Sequence, residues 1–176
     1  MTRPSHRIVT QNAWVVTDIE SAAHAWSKTL GIGPFFHGRY PADLFEGMTY
    51  RGEPGELTME TAIAFSGDVQ IELIVPLGDA PNAYRDVYKT GESGFHHQCF
   101  WSDDLDADLA HYASAGAPAV NVGQMRGGPR FAYVDTREQM GCMTELLEPQ
   151  PHVVELFRGW KARSDAWDGE TVIVRL

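Results

Sequence analysis

The sequence predicts an α+β fold assembled from two βαβββ modules. Two observations carry that reading. The order of strand-like and helix-like runs in the first half of the 176-residue chain recurs in the second half, and marked residues keep the same offsets in both. Gln11 stands seven residues before Asp18 and His97 seven before Asp104; Ile19 and Leu105 follow the aspartates, and "ELIVP" (72–76) mirrors "ELLEP" (145–149).

The elements follow in order. "RIVTQNAWVV" (7–16) is rich in β-branched and aromatic residues, as a strand requires, and ends at Thr17-Asp18, where the aspartate can cap a helix. In "IESAAHAWSKTLG", Ile19, Ala22, Ala23, Trp26 and Leu30 fall near helical spacing, and Gly31 stops the helix. "PFFHGRY", "ELTMETAIAF" and "DVQIELIVP" are three more strands, the first two separated by "PADLFEGMTYRGEPG". The second half repeats the series with "GFHHQCFWS", the capped helix "DDLDADLAHYASAG", and the strands "PAVNVGQ", "RFAYVDT" and "CMTELLEP". Val153, Leu156, Phe157 and Trp160 sit at helical spacing after Pro151, a favourable helix start. The boundaries drawn from this are a first module at 1–80, a linker at 81–93, a second module at 94–150, and a C-terminal helix and tail at 151–176.

Bulk properties narrow the function. A net charge of −10, from 14 basic against 24 acidic residues, opposes general affinity for nucleic acid or anionic membrane. The apolar stretches are too short to span a bilayer, and "MTRPSHRIVTQNAWVV" lacks the apolar core of a signal peptide. Cys99 and Cys142 lie inside strand-like runs and read as small core residues, which fits a reduced, cytoplasmic setting.

Alternation along a strand sends neighbouring side chains to opposite faces, so His96 and His97 divide between them. The repeat places His97 where Gln11 lies in the first module, and His96 is expected to turn away towards the module edge. Glu72 and Glu145 stand at matched places between apolar neighbours, where a carboxylate is costly to bury unless it is paired, protonated or bound to a cation. Gln11, Glu72, His97 and Glu145 together offer three oxygens and one imidazole nitrogen. That donor set suits Zn, Ni, Co, Fe or Mn, with places left for water or substrate.

At these residues the sequence resembles the vicinal oxygen chelate superfamily, which includes glyoxalase I, methylmalonyl-CoA epimerase, extradiol dioxygenases and bleomycin-resistance proteins. "QNAWVVTDIESAAHAWSKTLGIGPFF" with "QIELI", and "HHQCFWSDDLDADL" with "TELLEP", carry the resemblance over residues 7 to 149. It implies a cup-shaped curved sheet around a divalent metal, with one ligand from the first and one from the last strand of each module: Gln11 and Glu72, then His97 and Glu145. This ligand order resembles the glyoxalase I branch. It implies proton abstraction next to a carbonyl, with Glu145 as base and Glu72 as ligand or second proton carrier, on a small-molecule substrate; a homodimer is left open. A metal-free binding protein and a ring-cleaving dioxygenase are the alternatives, the latter opposed by the single histidine at the marked places.

Alternation also puts Ala13, Val15, Gln70, Ile74, Cys99, Trp101, Met143 and Leu147 on the ligand face, an apolar lining. Glu72 follows Gln11 by 61 residues and Glu145 follows His97 by 48, so the first module carries 13 extra. That insertion, with Phe45 and Tyr50 and with Phe35, Phe36 and Tyr40 beside it, reads either as a lid or as a segment packed on the core or at a subunit contact. Arg39, Arg51, Arg85, Lys89, Arg126 and Arg130 are available for a thiol-conjugate carrier but form no recognisable pattern, so a hydrophobic carbonyl compound is an equal substrate. His24 and His111 read as surface or packing residues, and His6, His37 and His152 as terminal, loop-like or helix-start residues. "GIGPF" follows a helix and is a cap and turn, not a nucleotide loop. Asp18, Asp103 and Asp104 read as helix caps.

Overall fold

A computed structural model describes Pro4 and residues 8–176. His6 and the first residue of the 7–16 run lie outside the described residues. The first module contains β1 (Gln11–Val15), α1 (Ile19–Leu30), β2 (Phe35–Tyr40), β3 (Phe45–Tyr50), β4 (Glu53–Pro54), β5 (Met59–Ser66) and β6 (Val69–Pro76). The second contains β7 (Gly94–Trp101), α2 (Leu105–Ser114), β8 (Ala119–Met125), β9 (Arg130–Val134), α3 (Arg137–Met140) and β10 (Met143–Leu147). Helix α4 (Pro151–Asp165) and β11 (Ile173–Arg175) follow.

The helix ends obey local chemistry. Asp18 and Asp104 accept from the backbone N–H of Ser21 and Ala107, each satisfying a donor that a helix start leaves unpaired. Gly31 closes α1 in the left-handed region at φ 68°, its N–H bonded to the Ser27 carbonyl, a conformation that costs glycine little. Pro151 begins α4, where its missing N–H is no loss.

Among the described residues, all eleven strands join one curved, unclosed sheet in the order β11-β2-β5-β6-β1-β7-β10-β9-β8-β3-β4. Each module contributes the same internal order, first strand, last, third, second, and the two first strands meet antiparallel at the centre. The registers repeat as well: Ala13 pairs with Glu72, and Cys99 with Glu145. Each glutamate therefore lies beside the residue two places after Gln11 or His97.

The inserted segment is not a free lid. After a short 3-10 turn at Ala42–Leu44, it forms β3 and β4, and β3 pairs antiparallel with β8 of the other module. An open strand edge recruits partners, and β3 covers the edge of β8. At the opposite end β11 covers β2 in parallel.

Apolar residues divide by sheet face. Ile19 and Ala23 of α1 pack with Phe35, Ile71 and Leu73, while Leu105 of α2 packs with Ala132, Val134 and Leu146. The inner face holds a third cluster with Ala13, Val15, Ile74, Tyr84, Tyr133 and Met143. Burying one side chain of this size contributes about 1.5–3 kcal/mol. Trp160 of α4 stacks on Phe36, ring centres 4.9 Å apart, and fastens the helix across the mouth of the cup. Cys99 and Cys142 are both free and buried. No described helix is long and apolar enough to cross a membrane.

Candidate metal centre

The central seam brings Gln11, Glu72, His97 and Glu145 together from four adjacent strands. His97 Nε2 lies 3.1 Å from Glu145 Oε2, 3.8 Å from Glu72 Oε2 and 3.4 Å from Gln11 Oε1. One donor atom each from Glu72, His97 and Glu145 fits within 4.8 Å of the others. Gln11 is oriented by its own amide, which donates from Nε2 to Gln70 Oε1 at 2.9 Å and leaves Oε1 turned to the cluster.

Both carboxylates are buried, at 8% exposure for each residue, and among the described residues the basic side chain within 4 Å of them is the His97 imidazole, with no arginine or lysine that close. Burial first, and then the negative Glu145, hold the Glu72 carboxyl well above the usual carboxylate range; a Thr61 side-chain hydrogen bond offsets part of the rise. The donors thus fit a divalent cation on their chemistry: two acidic oxygens, an amide oxygen and an imidazole nitrogen, all drawn close without a fixed positive charge to balance them.

His96 departs from expectation. It is fully enclosed on the same side as His97, with the two Nδ1 atoms 2.9 Å apart. The cause is a bulge in β7: Ala13 pairs with His97 but Trp14 pairs with Phe95, so His96 is the extra residue. A bulge puts two residues against one and cancels the alternation at that point. Burial holds His96 to a pKa of about 3, with the neighbouring His97 ring adding to the effect.

Above the cluster opens a cavity of about 140 Å³. Gln11, Glu72 and Glu145 form its polar end, and Phe45, Met59, Ile63, Met125, Phe131 and Leu147 supply apolar wall. Tyr40 also reaches the cavity, so the region of the insertion furnishes wall residues although it is strand. Of the other residues expected on this face, Ala13, Val15, Ile74 and Met143 are spent in the core, Gln70 orients Gln11, and Trp101 borders a second depression. Phe35 packs under α1, Phe36 under α4, and Tyr50 donates to Asp86.

The cover comes from a helix whose residues the spacing alone did not bring to the site. Val153, Leu156, Phe157 and Trp160 of α4 close one side of the cavity, and their helical spacing was a signal that an apolar face needed a partner. Tyr133, likewise not brought to the site by spacing, lines the cavity and shares a 2.7 Å hydrogen bond with Tyr84. Among the described residues, none of Arg39, Arg51, Arg85, Lys89, Arg126 and Arg130 lines the cavity. Arg51 pairs with Asp86, Arg85 donates to the Pro76 and Gly78 carbonyls, Arg126 to that of Asp43, and Arg130 to Asp106.

Two repeated modules that meet in one sheet, with a buried Glu-His-Glu cluster drawn from both at their seam, define a paired-module protein. The chain belongs to the Glyoxalase/Bleomycin resistance protein/Dioxygenase superfamily, whose model matches residues 10–133. Solved structures share the fold. The methylmalonyl-CoA epimerase of Mycobacterium tuberculosis is 18% identical, with TM-score 0.56 over 84% of this chain and 91% of that one. A hypothetical protein from Bacillus halodurans is likewise 18% identical, with TM-score 0.55 over 81% and 94%. A methylmalonyl-CoA epimerase in complex with methylmalonyl-CoA and NH4+ is 18% identical, with TM-score 0.51 over 81% and 94%. A search of the curated proteins finds no match.

Proposed function

We propose that the protein is a divalent-metal-dependent lyase or isomerase that moves a proton at the carbon next to a carbonyl. One observation carries the reading: two buried glutamates, one from the last strand of each module, converge on His97 and a small apolar cavity without a lysine or arginine among the described lining residues. Gln11, Glu72, His97 and Glu145 would hold the ion. When bound, it supplies Lewis acidity that polarises a substrate carbonyl and makes the adjacent C–H acidic.

The chain's own groups handle the proton. Glu145 accepts it from carbon as general base, and Glu72, whose carboxyl favours the protonated form, serves as ligand or returns a proton. Return to the opposite face of the same carbon epimerises the substrate, whereas delivery to the neighbouring carbonyl carbon isomerises it. The apolar wall and α4 exclude water from the exchange.

The substrate is a small hydrophobic carbonyl compound or the acyl end of a thiol conjugate. The epimerase complex among the structural neighbours makes methylmalonyl-CoA a first probe. A ring-cleaving dioxygenase fits less well, because both ring nitrogens of His96 are engaged, with Ala83 and His97, leaving one histidine for the cluster. A reduced, cytoplasmic setting accords with two free cysteines.

Elemental analysis of protein purified without chelator should find about one divalent ion per chain. Substrate recovered from heavy water under anaerobic incubation should carry deuterium at the α-carbon. Metal-free protein that still binds apolar carbonyl compounds would mark a sequestering protein instead. Turnover that stops without oxygen would mark a dioxygenase.

A further inference from the structure

The bulge at His96 creates a directed chain of hydrogen bonds beneath the candidate metal centre. His96 Nε2 lies 3.0 Å from the Ala83 carbonyl oxygen. A carbonyl only accepts, so His96 donates from Nε2. The ring is fully enclosed, and its described ring neighbours are Tyr84, Tyr133 and His97, with no carboxylate bonded to it. Its one hydrogen is therefore on Nε2, and Nδ1 is left as an acceptor. His97 Nδ1, 2.9 Å away, must be the donor of that bond.

We propose that His96 is a positioning residue that fixes the tautomer of His97. With its Nδ1 hydrogen committed to His96, His97 gives up any hydrogen on Nε2 when a cation arrives and offers that lone pair beside Glu72, Glu145 and Gln11. A ligating histidine normally has its second ring nitrogen oriented by an outer group, and such partners tune affinity. Here that partner is another imidazole, made available by one extra residue in a strand.

The source of the direction lies in the segment between the modules. The Ala83 N–H donates to Asn121 Oδ1 at 2.7 Å, and Asn82 Oδ1 accepts from the N–H groups of Tyr84 and Arg85. Asn121 also donates to the Thr49 carbonyl, so β8 and β3 hold the residue whose carbonyl engages His96. The intermodule segment thus has a part in the site that its distance in sequence conceals.

The inference rests on His97 being a metal ligand, and the test separates the two claims. Nitrogen-15 NMR of histidine-labelled, full-length protein should show a hydrogen on His97 Nδ1, a hydrogen on His96 Nε2, and scalar coupling between the two Nδ1 nitrogens, both in chelator and after zinc addition. Zinc affinity should fall roughly 10–100-fold in His96→Leu, as for loss of an outer-shell partner. It should return to within a few-fold of wild type in His96→Asn, whose Oδ1 supplies an acceptor near the position of Nδ1. Amide spectra establish that each variant is folded.

Hydrogen on His96 Nδ1, or a zinc-loaded His97 with no hydrogen on Nδ1, would overturn the tautomer assignment while leaving metal binding untouched. His96→Leu with undiminished zinc affinity would do the same for the positioning role. A wild type that binds no zinc, nickel, cobalt or manganese would overturn the metal reading itself, and the role of His96 with it.

Discussion

The two modules agree in strand order and register but differ in what their first strands offer the seam. Module one presents Gln11, a neutral amide held by Gln70 on the neighbouring strand. Module two presents His97, a stronger donor, backed by His96 through a bulge in β7, opposite which β1 carries no extra residue. Duplication supplies the frame, and a single inserted side chain makes one half of it directional. The glutamates differ less, since each pairs with the corresponding residue of its own first strand.

That comparison can be broken by substitution. Glu145→Gln should slow α-proton exchange roughly 10²–10⁴-fold, the loss expected for a general base, and Glu72→Gln should slow it less. Isotope incorporation followed by mass spectrometry gives both rates; equal losses would erase the division of labour between the modules. Combining the two substitutions should abolish stable metal binding while keeping the fold, because it removes two buried acidic groups together with their coordination. Unchanged metal content in the folded double variant would refute the centre.

A smaller effect should sharpen the contrast. Gln11→His makes the first strands alike at the seam, and affinity should stay within about tenfold, or 1.4 kcal/mol, with preference shifting towards nickel and zinc over manganese. Competition titrations measure that shift. The smallest effect concerns acid sensitivity in the metal-free protein. His96 has a pKa near 6.5 when unfolded and about 3 when folded, so below pH 6.5 the unfolded chain takes up a proton that the native state refuses. Its contribution is complete above pH 6.5 and is lost as pH falls towards 3. Between pH 6.5 and 5.5 the loss is on the order of 1 kcal/mol. Urea midpoints across that range should show the slope in wild type and a shallower one in His96→Asn.

Much of this site was legible because it is written in offsets. The spacing from Gln11 to Asp18 and from His97 to Asp104 survives in the two capped helices, and the matched glutamates do converge. His96 was not legible, because a bulge is a relation between two strands and leaves no mark in "GFHHQCFW" alone. The insertion was hidden for a related reason: Phe45 and Tyr50 satisfy strand preferences, but their partners Met125 and Asn121 lie in the other module. Helix α4 announced its apolar face, while the surface that receives it depends on how the sheet curves.

The exchange of β3 onto β8 bears on how the chain is made as well as how it stands. Thr49 bonds to the carbonyl of Val122, 73 residues later, and β2 receives its outer neighbour only from residues 173–175. During synthesis, module one emerges with β3 lacking β8 on one side and β2 lacking its cover. Pairings this distant in sequence slow folding, and the waiting edges are templates for other chains. A chain halted after residue 93 would therefore leave both edges open, and these are covered only once β8 and β11 have been made.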